Sequence, residues 1–290
     1  MHFSVVIPTR NSEKTLETTL ASLQQQSYPP YELIVADGCS TDATRQIASR
    51  FNTYVVDNLA IHAAGGRNHG AAVASGDWLA FTDSDCCVPS TWLSIAAKLI
   101  MENPDVVILG GPLRALAPIN EIEQVAGDAL LKGVLQYPQE QQWISTRSLR
   151  GAFIGASLFC RRDIFYALGG FDERFANFGE DINFFLRAVS AFPGRLLYDS
   201  RLYVEQHFPA TWSGLFLKWY QYGMASCYLQ RYHLGRWRID LAHYRRLIVA
   251  ISDLATQGNR RRANLARVVQ IIGHLCGKYC GSVRLGVVNL

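Results

Sequence analysis

The stretch "FTDSDCCVP", Phe81 to Pro89, sets two carboxylates, Asp83 and Asp85, one residue apart and follows them with Cys86 and Cys87. Residues two apart at the end of an extended segment point the same way, so both acids can face one hard divalent cation, directly or through water. Such an ion keeps open positions for phosphate oxygens and can neutralise a diphosphate both as substrate and as leaving group. The competing reading is an Asx turn ahead of a helix beginning near Ser90. Adjacent cysteines do not have zinc-ligand spacing, which runs about two to four residues. They are read as small thiols packed beneath the site. His274, Cys276 and Cys280 lie in a helix-like run without a clear fourth ligand and make a weak zinc motif.

Other residues offer complementary chemistry. Asp37 closes an apolar run in "LIVADGCSTD", where a carboxylate can accept from a ribose hydroxyl or an imide N–H. Turn formation before Gly38 is the plainer role. Arg67 in "GGRNHG" can pair with phosphate or base, or merely solvate a helix start. Glu180 and Asp181 fall at a predicted helix start, where they can serve the helix dipole or one of them can act as a general base. His207 follows a strand-like segment and is either a metal ligand or a structural histidine.

The elements that must position these residues follow a regular rhythm. "FSVVIP", "YELIVADG", "TYVVD", "DWLAFTDSD" and "DVVILGG" read as buried strands. Between them lie helices, with Asn11 or Ser12, Ser40 or Thr41, and Ser90 as expected caps. This alternation predicts an α/β fold, a mostly parallel sheet with helices on both faces. Ligands in such sheets sit at the carboxyl ends of the strands. Pro8-Thr9, Asp37-Gly38 and Asp83-Ser84-Asp85 all lie there. Residues 116–148 read as helix plus loop over the sheet. A strand, a helix, a Gly-Gly turn and the helix at Glu180 follow, then strand material at "LLYDSRLYVEQHF", and helices from Trp212 onward.

The 290 residues are 49% apolar and 18% charged, enough to bury a large core and unlike a disordered chain. "MHFSVVIPTR" reads as a strand rather than a secretory leader, so the seven cysteines are expected to be reduced in a cytoplasmic setting. No apolar run approaches the roughly 18 to 20 residues that span a bilayer. The net charge of +4 is uneven: residues 231–290 hold eleven Lys plus Arg against two acids, a balance of +9, and the first 230 residues a balance of −5. Basic residues there flank apolar stretches such as "LIVAISDLA" and "ARVVQIIGHL". This pattern suits an anionic membrane surface, with a solvated basic face around ordinary core helices as the plainer alternative. The tail lacks a nucleic-acid-binding motif.

In this order, "SVVIPTRN", "YELIVADGCSTDAT", "RNHGAAVASGDWLAFTDSD" and "GGFDERFANFGEDINFFLR" resemble the family 2 glycosyltransferases of GT-A fold. The resemblance runs from about Phe3 to His207. It implies a GT-A domain over 1–210, with a nucleotide-sugar half (1–112) and an acceptor half (113–210), and a basic helical extension over 211–290. By motif position it implies Pro8, Thr9, Asp37, Arg67, Asp83 and Ser84 around the nucleotide. Asp85 and Asp83 would hold Mn²⁺ or Mg²⁺, with His207 completing the metal shell as it does in some members. Asp181 would be the catalytic base, with Glu180 and Gly155 lining the acceptor pocket. The implied reaction is inverting transfer from a nucleotide diphosphate sugar, most often UDP-linked, to a glycan or lipid-linked acceptor. The cysteines and the basic tail, rather than the resemblance, set the expected place as the cytoplasm or the cytoplasmic face of the membrane. Two departures stand out: Gly38 replaces the second acid of the common Asp-Asp-Gly-Ser, and Asn183 replaces an aspartate after Glu-Asp. A catalytically inactive sugar-nucleotide-binding protein and a nucleotidyltransferase are the alternatives. The second is disfavoured because "IPTRNSEK" contains no phosphate-loop glycine.

Overall fold

Phe3, Val5, Val6 and Ile7 are fully buried in succession, which is what a parallel strand covered by helices on both faces requires. They form β1 (Phe3–Thr9), near the middle of an eight-stranded sheet in a computed structural model that describes residues 1–134, 137–145, 154–176, 179–234, 245, 248–253 and 261–286. The other strands of this sheet are β2 (Glu32–Asp37), β3 (Tyr54–Asp57), β4 (Trp78–Phe81), β6 (Ile108–Gly110), β8 (Gln142–Trp143), β9 (Leu158–Arg161) and β10 (Leu196–Tyr198). Their order is β3-β2-β1-β4-β9-β6-β10-β8. β9 runs antiparallel to both β4 and β6, and β8 antiparallel to β10; the remaining pairs are parallel. A second sheet pairs β5 (Cys86–Cys87), β11 (Val204–Gln206) and β7 (Leu113–Ala115).

The chain divides into two compact units, one of 1–114, 135–176 and 180–206, the other of 115–134, 177–179 and 207–290. The first holds the eight-stranded sheet with helices α1 (Leu16–Gln24), α2 (Thr44–Ser49), α3 (Ala63–Val73), α4 (Trp92–Glu102), α6 (Arg162–Ala167) and α7 (Glu180–Ala191). The second holds α5 (Glu121–Asp128), α8 (Trp212–Leu229) and a final helix, α9 (Arg261–Leu285). The helix within 116–148 thus groups with the C-terminal helices, while 142–143 add a strand to the sheet.

Two packing features in the first unit position the site. A Cβ at Gly70 would stand 2.4 Å from Val6 Cγ1, so α3 lies directly against β1 only because that position carries no side chain. Phe81, Phe165, Phe171 and Phe184 form one ring cluster, with Phe171–Phe184 centroids 4.8 Å and Phe81–Phe171 centroids 5.4 Å apart. The cluster fastens α7 to β4 and so fixes where Glu180 and Asp181 emerge; such ring pairs add to the area they bury.

The expected helix caps differ from those found. Asn11 sits in the left-handed region at φ 49° and reaches across to the next loop, accepting from Thr41 N at 2.9 Å. Ser12 N donates to Thr44 Oγ1, and α1 begins later, at Leu16. At α2 the local acceptor is Asp42, whose Oδ1 takes the Thr44 N–H at 3.0 Å, in place of Ser40 or Thr41. Ser90 uses its carbonyl to accept from Ser27 N, and α4 begins at Trp92 with no side-chain cap. Short polar side chains have several local acceptors and donors within reach, so sequence position alone does not select one.

Candidate active site

The strand order reverses direction about β1, with β2 on one side and β4 on the other. A crevice opens at such a switch point beyond the carboxyl ends of the strands. Thr9, Asp37 and Asp57 stand abreast there in register, and the chain leaving β4 delivers Asp83 to the same edge.

Asp37 is fully buried. Its Oδ2 accepts from Arg45 Nη1 at 3.1 Å and from Ser40 N at 3.2 Å, while its Oδ1 meets no donor among the described residues. A buried carboxylate oxygen without a donor is costly, and its chemistry matches a hydroxyl or imide N–H supplied by a ligand. Arg45 also donates to Asp57 Oδ1 at 2.7 Å. Sequence reasoning missed Arg45; a lone basic residue in the first turn of the helix after the strand was the available signal. Pro8 is half-buried and Thr9 buried, its hydroxyl turned back to Ile7 O at 3.1 Å.

Asp83, Ser84 and Asp85 lie in a turn rather than an extended segment, closed by Cys86 N donating to Asp83 O at 3.2 Å. The turn, not strand alternation, brings the two acids together. Donor atoms of Asp83, Asp85 and Cys86 all fall within 4.8 Å of one another, the one such group found among the described residues. Burial, and then the carboxylates of Asp85 and Asp83, push the Cys86 thiol well above its ordinary value. It therefore stays protonated and points at Gln206 Oε1, 3.5 Å away. The oxygen donors fit a hard cation such as Mn²⁺ or Mg²⁺, and the thiol packs. Ser84 Oγ lies 2.8 Å from Ser12 Oγ, which ties this turn to the loop after β1. Ser12 is a second residue that sequence reasoning placed elsewhere.

Arg67, on α3, is almost wholly buried and lies 5.3 Å from the centre of the Phe171 ring. Its Nη1 donates to Glu180 Oε1 and its Nη2 to Asp83 Oδ1, each at 2.7 Å. Burial opposes its charge, but Asp83, Glu180 and Asp181 outweigh that and hold the guanidinium protonated. Burial first, and the neighbouring Asp181 carboxylate second, raise Glu180 to about 7 against the pull of Arg67. Asp181 is half-buried at the first turn of α7; its Oδ2 accepts from Gly155 N at 3.1 Å and its Oδ1 from Ile182 N at 2.7 Å. Two amide donors fix the carboxylate's direction, as a positioned base requires. A Cβ at Gly155 would stand 2.9 Å from Arg67 Nη2, so only glycine lets this loop and Arg67 share the space.

His207 lies in the second unit, where its Nδ1 is 2.6 Å from Glu123 Oε1. Glu123 is buried and also accepts from Phe208 N and Ile119 N. Among the expected site residues, Asp83, Ser84 and Asp85 form one turn, and Arg67 joins Asp83 to Glu180. Gly155 and Asp181 pair beside them, while Pro8, Thr9 and Asp37 form the neighbouring strand edge.

The sequence profile of glycosyl transferase family 2 matches residues 4–169, more than half of the chain. The chain belongs to that family. A glycosyltransferase, AglE, from Haloferax volcanii is 30% identical over 65% of this chain and 61% of its own length. Poly(ribitol-phosphate) β-N-acetylglucosaminyltransferase TarS from Staphylococcus aureus is 37% identical over 38% of this chain and 20% of its own length. The chain thus spans less than two thirds of each of these relatives. Among solved structures, residues 1–349 of TarS superpose with a TM-score of 0.57 at 18% identity, covering 99% of this chain and 92% of that one; TarS has also been crystallised with UDP and with UDP-GlcNAc. The mannosyltransferase PcManGT from Pyrobaculum calidifontis, in complex with GDP-Man and Mn²⁺, gives 0.65 at 16% identity, covering 97% and 86%. The sheet and its covering helices make up a GT-A fold, and a helical C-terminal region is present besides.

Proposed function

We propose that the protein transfers a sugar from a nucleotide diphosphate sugar, UDP-linked, to the hydroxyl of a glycan or lipid-linked acceptor, with inversion at the anomeric carbon. The observation that carries this reading is Asp181, held by the Gly155 N–H beside Glu180 and one guanidinium away from Asp83. In the reaction Asp181 accepts the proton of the acceptor hydroxyl as that oxygen bonds to the anomeric carbon. The carbon–oxygen bond to the diphosphate breaks with its electron pair leaving on the phosphate, and no covalent enzyme intermediate forms.

Asp37, whose buried Oδ1 meets no donor among the described residues, takes a ribose hydroxyl or base N–H, and Pro8 and Thr9 border the same strand end. Arg67 and Ser84 stand beside the diphosphate. Asp85 and Asp83 supply carboxylate oxygens to Mn²⁺ or Mg²⁺. When bound, the divalent ion supplies positive charge to the leaving diphosphate. The nucleotide complexes of TarS and the GDP-Man and Mn²⁺ complex of PcManGT support this donor class for the fold. Glu180 and Gly155 line the acceptor side.

The test is Asp181→Asn. Turnover should fall by about 10²- to 10⁴-fold, the usual contribution of a positioned base, while Mn²⁺-dependent thermal stabilisation by the nucleotide donor stays within error of the parent. Full transferase rate in this variant would remove Asp181 from the mechanism, and the lack of nucleotide-dependent stabilisation in the parent would remove the donor assignment.

A further inference from the structure

The final helix buries several polar side chains and exposes several large apolar ones. On the side of α9 that packs within the second unit, Asn264, Gln270, Lys278 and Ser282 are buried beside Ala266 and Val268. The same side carries Gly273, Gly277 and Gly281. A Cβ at Gly277 would lie 1.9 Å from Tyr220 O, and one at Gly273 would lie 2.6 Å from Phe216 O. Helices α8 and α9 therefore pack backbone against backbone through small residues. Helices associate this way where burying large apolar side chains between them brings no gain.

The opposite side of α9 is apolar and open. Leu265, Ile272, Tyr279 and Val283 are 38%, 40%, 63% and 70% exposed. Spaced seven, seven and four residues apart, they form one stripe along the helix. Ile248 and Val249, in the same unit, are more than half exposed as well. A helix pair built for water would turn these residues inward and the amides outward. Exposed Arg262, one turn ahead of Leu265 and within 3.8 Å of the half-exposed Glu121 carboxylate, and exposed Arg284, which follows Val283 in the chain, flank the stripe.

We infer that this face of α9 docks on an anionic lipid surface, with the helix lying in the interface plane. Charge chooses the occupant: residues 231–290 carry eleven basic side chains against two acids, and Arg262, Arg267 and Arg284 are exposed on α9 itself, so a second copy would set like charges against each other. An anionic bilayer instead neutralises the arginines and accepts the apolar stripe, which is the pattern of an interfacial helix. Among the described residues no helix is long and apolar enough to cross a membrane, so the contact is with the surface. This inference is independent of the reaction proposed for the first unit.

Co-sedimentation of the full chain with vesicles tests it. The protein should pellet with phosphatidylglycerol-containing vesicles, bind pure phosphatidylcholine at least about tenfold more weakly, and be released as salt screens the arginines. Ile272→Asp with Val283→Asp should weaken binding at least about tenfold, because charge on the apolar face opposes insertion. Arg262→Gln with Arg284→Gln, which leaves the stripe intact, should also weaken it about tenfold or more, at roughly 1 kcal/mol per basic residue. An unchanged thermal midpoint for the arginine pair shows that its loss of binding is not unfolding. The inference is overturned if the parent ignores anionic vesicles, or if both double variants bind as the parent does. A dimer seen by light scattering, split by the aspartate pair without change in vesicle binding, also overturns it and assigns the face to a second copy.

Discussion

Arg67 joins Asp83, just past β4, to Glu180, at the first turn of α7, through two 2.7 Å hydrogen bonds from a single buried guanidinium. The two acids come from distant parts of the chain, and only a planar fork can serve both at once. Removing one partner of a buried ion pair costs about 3–5 kcal/mol, because the remaining charge is stranded. Arg67→Ala should lower the free energy of unfolding in urea by about that amount. Arg67→Lys, a point charge able to satisfy one acid well, should fall between the alanine variant and the parent. An unchanged urea midpoint for the alanine variant would show that the bridge does not hold these elements together.

Glu180 should give the fold a pH dependence of its own. Its carboxyl is raised from an ordinary 4.5 to about 7, so the folded state holds a proton there that the unfolded chain releases. The stabilising contribution is complete below about pH 4.5 and is lost as pH rises through 7. Glu180→Gln, which keeps an oxygen for Arg67 but cannot ionise, should remove that part of the slope. Thermal midpoints of parent and variant measured from pH 4.5 to 8 check this. Parallel curves would mean that Glu180 titrates in its ordinary range.

Much of this site can be read in the sequence because it depends on strand ends. Apolar β-branched runs mark the strands, and whatever follows each run in a parallel sheet arrives at one edge; Thr9, Asp37 and Asp83 were placed by that rule. The helix beginning at Glu180 was legible as the one that follows the Gly169-Gly170 turn. What was not legible depends on side-chain reach. Nothing in "GGRNHG" says that Arg67 turns toward two carboxylates, since its partners are set by how closely α3 approaches β1 at Gly70. Asn11 and Ser12 resemble helix caps, yet they bridge to the loop after β2 and to Thr44, because loops at a shared edge offer each other donors. β5, two residues long, exists only by pairing with β11, and so short a strand leaves no periodic trace.

Asp83 and Asp85 should separate when each is replaced by alanine. Asp85 is exposed, whereas Asp83 is half-buried and is one of the two anchors of Arg67. Asp85→Ala should change stability by less than about 0.5 kcal/mol, as surface substitutions do. Asp83→Ala should cost about 1–3 kcal/mol, the range for leaving a buried donor unmatched. Both should weaken Mn²⁺ binding measured by electron paramagnetic resonance. Equal stability losses would show that Arg67 finds another acceptor when Asp83 is absent.

Gly155 carries a tight steric demand beside Asp181. Its N–H fixes Asp181 Oδ2, and a Cβ there would lie 2.9 Å from Arg67 Nη2 and 3.0 Å from Arg67 Cζ. A flexible side chain could step aside, but this guanidinium is held at both ends by Glu180 and Asp83. In Gly155→Ala the loop must therefore move instead and carry the amide away from Asp181. Overpacking of this kind costs about 1–3 kcal/mol, and an ångström of misplacement at a reacting group can cost about 10²-fold in rate. The variant should lose one to two orders of magnitude in kcat while nucleotide affinity changes little, since Asp37 and the β1 edge are untouched. Steady-state kinetics beside nucleotide titration measure both quantities. A variant with parental kcat would mean that the Gly155 amide does not position Asp181 for the proposed reaction.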